Sequence, residues 1–129
     1  MKGNMVFMHE TPNNRIARTI FIVLTWLFAG SILLQVFFAG LALFVDSSNW
    51  LAHVSFARFF GLLPLMMIAL ALIARLPKKT LWRCAGLFGM IIGLFLTAIF
   101  SSQIGILSAL HPLIALLLFW NCMVIIRSA

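Results

Sequence analysis

The chain has 129 residues, of which 64% are hydrophobic and only 9% charged, and its formal net charge is +7. A soluble domain usually carries about 25% charged residues, so this composition excludes a soluble domain and indicates an integral membrane protein in one domain. Only two residues are acidic. Paired carboxylates for acid–base chemistry are therefore missing, which argues against a hydrolase, a kinase or a carboxylate-driven transporter.

The positive charge predicts a topology and not a nucleic-acid surface. With one exception, Arg58, the basic residues lie before the first apolar run, in one short connection and near the end of the chain: Lys2, Arg15, Arg18, Arg75, Lys78, Lys79, Arg83 and Arg127. Because Lys and Arg accumulate in cytoplasmic loops, we expect these segments on the cytoplasmic side of a bacterial inner membrane. Cys84 and Cys122 fall near the same side, where reducing conditions disfavour a disulfide. We expect them to be small residues that face the interior.

Four apolar runs predict four membrane-spanning helices, at about 19–45, 50–74, 81–100 and 104–126, after a polar tail at 1–14 that contains a solvated His9. Each run is close to the ~17–25 residues that a transmembrane helix needs. Connections this short force consecutive helices to be antiparallel neighbours. The predicted fold is all-α, an up-down-up-down four-helix bundle with both termini cytoplasmic. Pro64 predicts a kink in the second helix.

His53 and His111 follow the two turns that face away from the basic segments. At 1.5 Å per residue each lies about 9–10 Å inside its helix, and both helices run in the same direction. We therefore expect the two imidazoles to face each other across the bundle. Two alternatives stay open. His53 could be an interfacial residue beside Trp50 while Arg58 extends to the interface, and His111 could cap a helix that begins at Pro112.

Two histidines from different helices could ligate the iron of one haem b, since imidazole is its commonest axial ligand. Small residues one or two turns after each histidine would leave flat space for the ring, and Arg58 could pair with a propionate. A glutamine amide could bind a propionate or orient an imidazole. The expected site therefore comprises Gln35, His53, Ala57, Arg58, Gly61, Gln103, His111 and Ala115, with ring walls from Phe56, Phe60 and Phe119.

The third helix carries a stripe of small residues through Gly89 and Gly93. Such a stripe lets two helix backbones approach closely. Packing within the bundle is the favoured interpretation, and contact with a second copy or with another membrane protein is the alternative.

The segments "LLQVFFAGLALF" (33–44) and "LHPLIALLLFW" (110–120), with His53 between them, resemble a family of small uncharacterised bacterial four-helix membrane proteins. That family shares a Gln followed by Ala-Gly near the end of helix one, a His that opens helix two and a His-Pro that opens helix four, and the likeness covers most of the chain. More loosely, the chain resembles four-helix membrane cytochromes b. The resemblance implies haem ligation in the bundle, with Gln35, His53 and His111 at the matching positions.

The leading hypothesis is therefore a b-type haem protein that transfers electrons, alone or within a larger complex. A second hypothesis is a non-enzymatic accessory or assembly subunit that binds another membrane protein through its Gly and Ala stripes. A third is a small transporter or quinone-binding protein whose His and Gln side chains face a lateral cavity.

Overall fold

The computed structural model describes residues 11–129 and confirms the predicted all-α four-helix bundle. Its α-helices are α1 (Pro12–Phe44), α2 (Trp50–Phe60), α3 (Leu63–Ile73), α4 (Lys78–Ile99), α5 (Ser101–Ile104) and α6 (Leu110–Ser128), and short 3₁₀ helices occupy Ser47–Asn49 and Gly105–Ala109. Residues 12–14, predicted as tail, belong to α1, because a proline fits the first turn of a helix. The rest of that tail, with His9, lies outside the described residues.

Within residues 11–129, four spans are long and apolar enough to cross a membrane: Pro12–Phe44, Ser47–Ile73, Lys78–Ile99 and Ser101–Ser128. Large apolar side chains also cover the outside of the bundle, as Phe59 (78% exposed) and Trp82 (76%) illustrate. A soluble monomer rarely exposes apolar surface on this scale. The chain is therefore a multi-pass membrane protein.

The four spans form a ring. The first span packs against the second and the fourth, and the third also packs against the second and the fourth. The second and fourth spans, which carry the two histidines, therefore lie diagonally opposite each other. We call the end that contains the connections at 45–49 and 100–109 the histidine end. The basic end contains the start of α1, the turn at 74–77 and the end of α6.

The tightly packed core lies toward the basic end. Its buried residues are Phe21, Phe28, Ala29, Ile32, Met67, Ala71, Cys84, Leu87, Leu118, Cys122 and Ile125. Both cysteines are free and fully buried, which confirms that they face the interior. Arg83 also ties α4 to α6 here, since its Nη1 donates to Asn121 Oδ1 at 3.2 Å and Asn121 Nδ2 donates to the Arg83 carbonyl oxygen at 3.3 Å.

The second span is interrupted between α2 and α3, at Gly61 and Leu62. Pro64 is the second residue of α3; it has no backbone N–H, and its ring crowds the carbonyl of Phe60 four residues earlier. The predicted kink is therefore seen as a break. At that break the backbone comes close to α4, because a Cβ added to Gly61 would lie 3.2 Å from Phe95 Cε2.

The fourth span begins with α5 and a 3₁₀ segment before α6 continues it. The alternative that His111 caps a helix beginning at Pro112 is wrong, since α6 begins at Leu110. Pro112 lies within the first turn, where a missing N–H removes no helical hydrogen bond. Gly105 connects α5 to the 3₁₀ segment with a φ of +54°, a backbone conformation that glycine adopts most readily.

Candidate functional site

The structure brings the two histidines together. His53 on α2 and His111 on α6 have ring centroids 6.4 Å apart, with 48° between the ring planes. Both side chains are partly buried. The sequence predicted that the two imidazoles face each other across the bundle, and the packing of the diagonal spans brings them to this distance with their planes tilted.

A backbone carbonyl orients the ring of His53. Its Nδ1 donates to the carbonyl oxygen of Gln35 on α1 at 3.0 Å. A carbonyl oxygen only accepts, so the hydrogen bond places the proton on Nδ1 and leaves the Nε2 lone pair available. Trp50 packs edge-on against the same imidazole, with ring centroids 5.5 Å apart, and so restricts the ring from the histidine end.

His111 is held in the same way from α4. Its Nδ1 donates to the Leu94 carbonyl oxygen at 3.0 Å and lies 3.1 Å from Thr97 Oγ1. The Thr97 hydroxyl is itself 2.9 Å from the carbonyl oxygens of Gly93 and Leu94, to which it donates. The hydroxyl oxygen is therefore left to accept from His111, and this ring also carries its proton on Nδ1.

Both imidazoles thus present Nε2 as a lone-pair donor. Within residues 11–129 no hydrogen bond to either Nε2 is formed. A ring whose Nδ1–H is fixed by a carbonyl and whose Nε2 is available is the usual arrangement of a metal-ligating histidine. The pair can accept two hydrogen bonds or ligate one metal centre from two sides.

The histidines line a cavity of about 490 Å³ in the half of the bundle toward the histidine end. All four spans contribute to its wall, which is predominantly apolar. Seven of the predicted site residues line it: Gln35, His53, Ala57, Arg58, Gly61, His111 and Ala115. The volume falls in the range of small-molecule and cofactor sites, about 300–1,000 Å³.

Other predicted residues lie elsewhere. Gln103 is exposed on α5, where its Oε1 accepts a hydrogen bond from Ser102 Oγ at 2.8 Å, and it does not line the cavity. Of the predicted aromatic walls, Phe60 lines the cavity, whereas Phe56 stacks on Phe60 (4.1 Å between centroids) and Phe119 packs against the core.

Besides the histidines and Ser31, whose hydroxyl donates to the Phe28 carbonyl oxygen, two further polar side chains line the cavity. Gln35 Oε1 is buried and has no hydrogen-bond partner. Arg58 is exposed, and no residue in the described part of the chain accepts a hydrogen bond from its guanidinium. A buried acceptor and a cation inside an apolar span are both costly unless something pairs with them. These groups therefore point to a ligand that is at least partly polar.

The sequence did not identify the two carbonyl groups or Thr97 as supports of the histidines. A hydroxyl four residues after Gly93 in an apolar helix was the available signal for Thr97. The two glycines of the predicted small-residue stripe also differ in their surroundings. A Cβ at Gly93 would lie 3.6 Å from Ile114 of α6, whereas Gly89 is exposed with nothing within 4 Å.

No curated protein and no solved structure matches the chain. One family does: a family of unknown function, DUF6220, matches residues 35–102, which is 68 of the 129 residues. The matched segment begins at Gln35, contains His53 and the break at Gly61, and ends before His111. Because the match covers more than half of the chain, this protein belongs to the DUF6220 family of unknown function.

Proposed function

We propose that the protein binds one haem b between His53 and His111 and serves as an electron-transfer protein of the membrane. The observation that carries the proposal is the pair of imidazoles, each fixed through Nδ1 and each with a free Nε2, at a centroid distance of 6.4 Å inside a membrane cavity. Bound haem would supply reversible one-electron chemistry at its iron.

The residues present fit haem better than a bare metal ion. Structural and catalytic sites for a bare ion such as zinc take three or four protein ligands, and among residues 11–129 no three His, Cys, Asp or Glu side chains lie close enough together to hold a metal ion. A haem brings four ring nitrogens of its own and needs only one or two axial ligands from the protein. Two histidines therefore suffice.

The surroundings of the pair also suit a planar apolar group. Ala57, Gly61 and Ala115 line the cavity with minimal side chains. The carbonyls of Gln35 and Leu94 hold the imidazoles in place and raise their basicity as ligands. With haem bound, the apolar wall would keep water away from the two Nε2 atoms, and the low local dielectric constant would influence the reduction potential of the iron.

The test is reconstitution with haemin in mild detergent. We expect a Soret band with a six-coordinate low-spin spectrum in the wild type and its loss in His53→Ala and His111→Ala. His9→Ala, which changes a histidine in the polar tail, is the matched control. Recovery of the low-spin spectrum by added imidazole would show that the alanine variants are folded. A wild-type protein that gives no haem spectrum would refute the proposal.

The orientation in the membrane is part of the same proposal. The basic end carries Arg15, Arg18, Arg75, Lys78, Lys79, Arg83 and Arg127, which favours the cytoplasmic side of a bacterial inner membrane. The haem would then lie in the outer half of the bilayer. Because Cys84 and Cys122 are fully buried, Ser48→Cys and Lys79→Cys can be labelled in a wild-type background. Labelling of Ser48→Cys from the cytoplasm would contradict this orientation.

Gln35 supports quinone binding as a second candidate function. Its buried, unpaired Oε1 and the two Nε2 atoms are all acceptors, and a hydroquinone has two hydroxyl donors to offer them. In this case a short-chain hydroquinone should bind to the haem-free protein, and Gln35→Leu should weaken that binding. Absence of any binding by the haem-free wild type would remove this candidate.

A further inference from the structure

Exposed residues of all four spans border the cavity, including Val36 on α1 and Pro112 on α6. Val54 and Arg58 on α2, and Ala98 and Ile99 on α4, line the cavity and are exposed on the surface of the bundle. Val54 and Arg58 are four residues apart and so share one face of their helix. In a membrane-spanning bundle, this surface is covered by lipid. Of its neighbours in the ring, α2 packs mainly against α1 and not against α4, whereas α4 and α1 both pack against α6. The side of the cavity between α2 and α4 is therefore the one that is open to the bilayer.

The opening ends at the level of Gly61, where the second span comes into close contact with α4. This is the side of the opening nearer the basic end. A Cβ at Gly61 would lie 3.2 Å from Phe95 Cε2 and 3.5 Å from Ile91 Cγ2, so the two spans are in close contact at that level. From Gly61 toward the basic end, α3 packs against α4. From Gly61 toward the histidine end, α2 packs mainly against α1. The second and third spans therefore separate from Gly61 toward the histidine end. Arg58 lies about one helical turn from Gly61 in that direction.

Arg58 is deep in the membrane for a charged residue. It lies eleven residues after the start of a 27-residue span, which places it about 16 Å from that end by the helix rise. Asp46, the one acidic residue in the described part of the chain, lies in the preceding turn and accepts a hydrogen bond from the Ser48 amide at 2.7 Å. An ionisable group inside a span marks a functional site by default, and no acidic side chain among residues 11–129 pairs with Arg58.

We propose that the opening between α2 and α4 is the route by which a porphyrin carboxylate enters the cavity from the bilayer, and that Arg58 binds that carboxylate. The inference deepens the proposed haem function and depends on it for the identity of the ligand. Arginine suits this role because its guanidinium forms bidentate hydrogen bonds with a carboxylate. In α2 the Cα–Cβ bonds tilt toward the N-terminus, so the side chain leans toward the level of His53.

The experiment uses metal-free protoporphyrin IX, which keeps both carboxylates but gives the histidines no iron to ligate. Its dimethyl ester is the matched probe without carboxylates. By fluorescence titration of the full-length protein, we expect the wild type to bind the diacid about tenfold or more tightly than the ester, as a charged hydrogen-bonded pair provides. Arg58→Leu should abolish that preference, and Lys79→Leu, the same loss of charge outside the cavity, should retain it.

The route is tested by the rate of porphyrin uptake from liposomes. Ala98→Trp adds a large ring at the opening and should slow uptake at least several-fold. Ala85→Trp, at an exposed position of α4 outside the cavity, should not. Unchanged uptake by Ala98→Trp would refute the route.

Other outcomes separate this inference from the haem proposal. Equal affinity of the wild type for the diacid and the ester would refute the role of Arg58, even if haemin gives a low-spin spectrum that depends on the two histidines. Displacement of the porphyrin by an equimolar amount of palmitate would also refute it, because Arg58 would then bind a lipid carboxylate. A diacid preference without histidine-dependent haemin binding would support Arg58 and contradict the iron ligation.

Discussion

His53 and His111 are fixed by the same type of contact from two different helices: His53 Nδ1 donates to a carbonyl of α1, and His111 Nδ1 donates to a carbonyl of α4. The first span thus orients the histidine of the second span, and the third span orients the histidine of the fourth. A ligand between the rings would be bound by all four helices.

Thr97 supports His111 through its hydroxyl oxygen, 3.1 Å from Nδ1. Thr97→Val removes that acceptor and leaves the Leu94 carbonyl. We expect haem to remain six-coordinate but to be lost about tenfold faster, at the lower end of the effects of such supporting contacts. Haem transfer to an excess of apomyoglobin measures this rate. Thr25→Val is the control, because that buried hydroxyl bonds the Phe21 carbonyl away from the cavity. Equal rates in both variants would contradict the role of Thr97.

Gly61 allows the close approach of the second span to α4. In Gly61→Ala the added Cβ would lie 2.9 Å from the Ala57 carbonyl oxygen and 3.2 Å from Phe95 Cε2. We expect a loss of about 1–3 kcal/mol in the free energy of unfolding, as in other overpacked cores, measured by thermal unfolding in detergent. Gly40→Ala meets nothing within 4 Å and should be neutral or slightly stabilising, because alanine favours a helix over glycine. A Gly61→Ala protein as stable as the wild type would show that α4 moves without cost.

Asn121 pairs with Arg83 between α6 and α4 through two hydrogen bonds. Asn121→Leu leaves the partly buried guanidinium without this acceptor. We expect a loss of about 1–3 kcal/mol in the free energy of unfolding, with little change in ligand binding because the pair lies outside the cavity. Arg127→Leu changes an exposed residue of the same helix and should leave stability nearly unchanged. The opposite ranking of the two variants would be inconsistent with a structural pair.

Asp46 begins the turn that precedes α2, and its carboxylate accepts a hydrogen bond from the Ser48 amide. That backbone hydrogen bond holds the pKa of Asp46 below its ordinary value. A depressed carboxyl pKa means that the bond is fully present above the ordinary pKa of an aspartate and is lost as the pH falls through the lowered one. We expect the Ser48 amide NMR shift to titrate with a midpoint below the ordinary pKa. Asp46→Asn should show no such titration.

The sequence determined the class of the protein and its coarse architecture. Hydropathy and helix rise depend only on local composition and length, so four spans, their alternating direction and the similar depth of His53 and His111 could be predicted. Pro64 marked the break for the same reason, since its effect acts on the backbone four residues before it. The chain itself therefore specified at which level of the bundle the histidines lie.

Only the tertiary structure decided which faces turn inward. Lipid is as apolar as the protein interior, so hydropathy does not distinguish a lipid-facing side from a core-facing side. The carbonyl partners of the histidines, the role of Thr97 and the cavity all depend on the rotation of each helix about its axis and on its neighbours. Gln103 shows the same dependence: the sequence predicted it as part of the site, but it is exposed on α5 and does not line the cavity. The position of a residue along the bundle axis therefore follows from the sequence, whereas the direction in which its side chain points follows from helix packing.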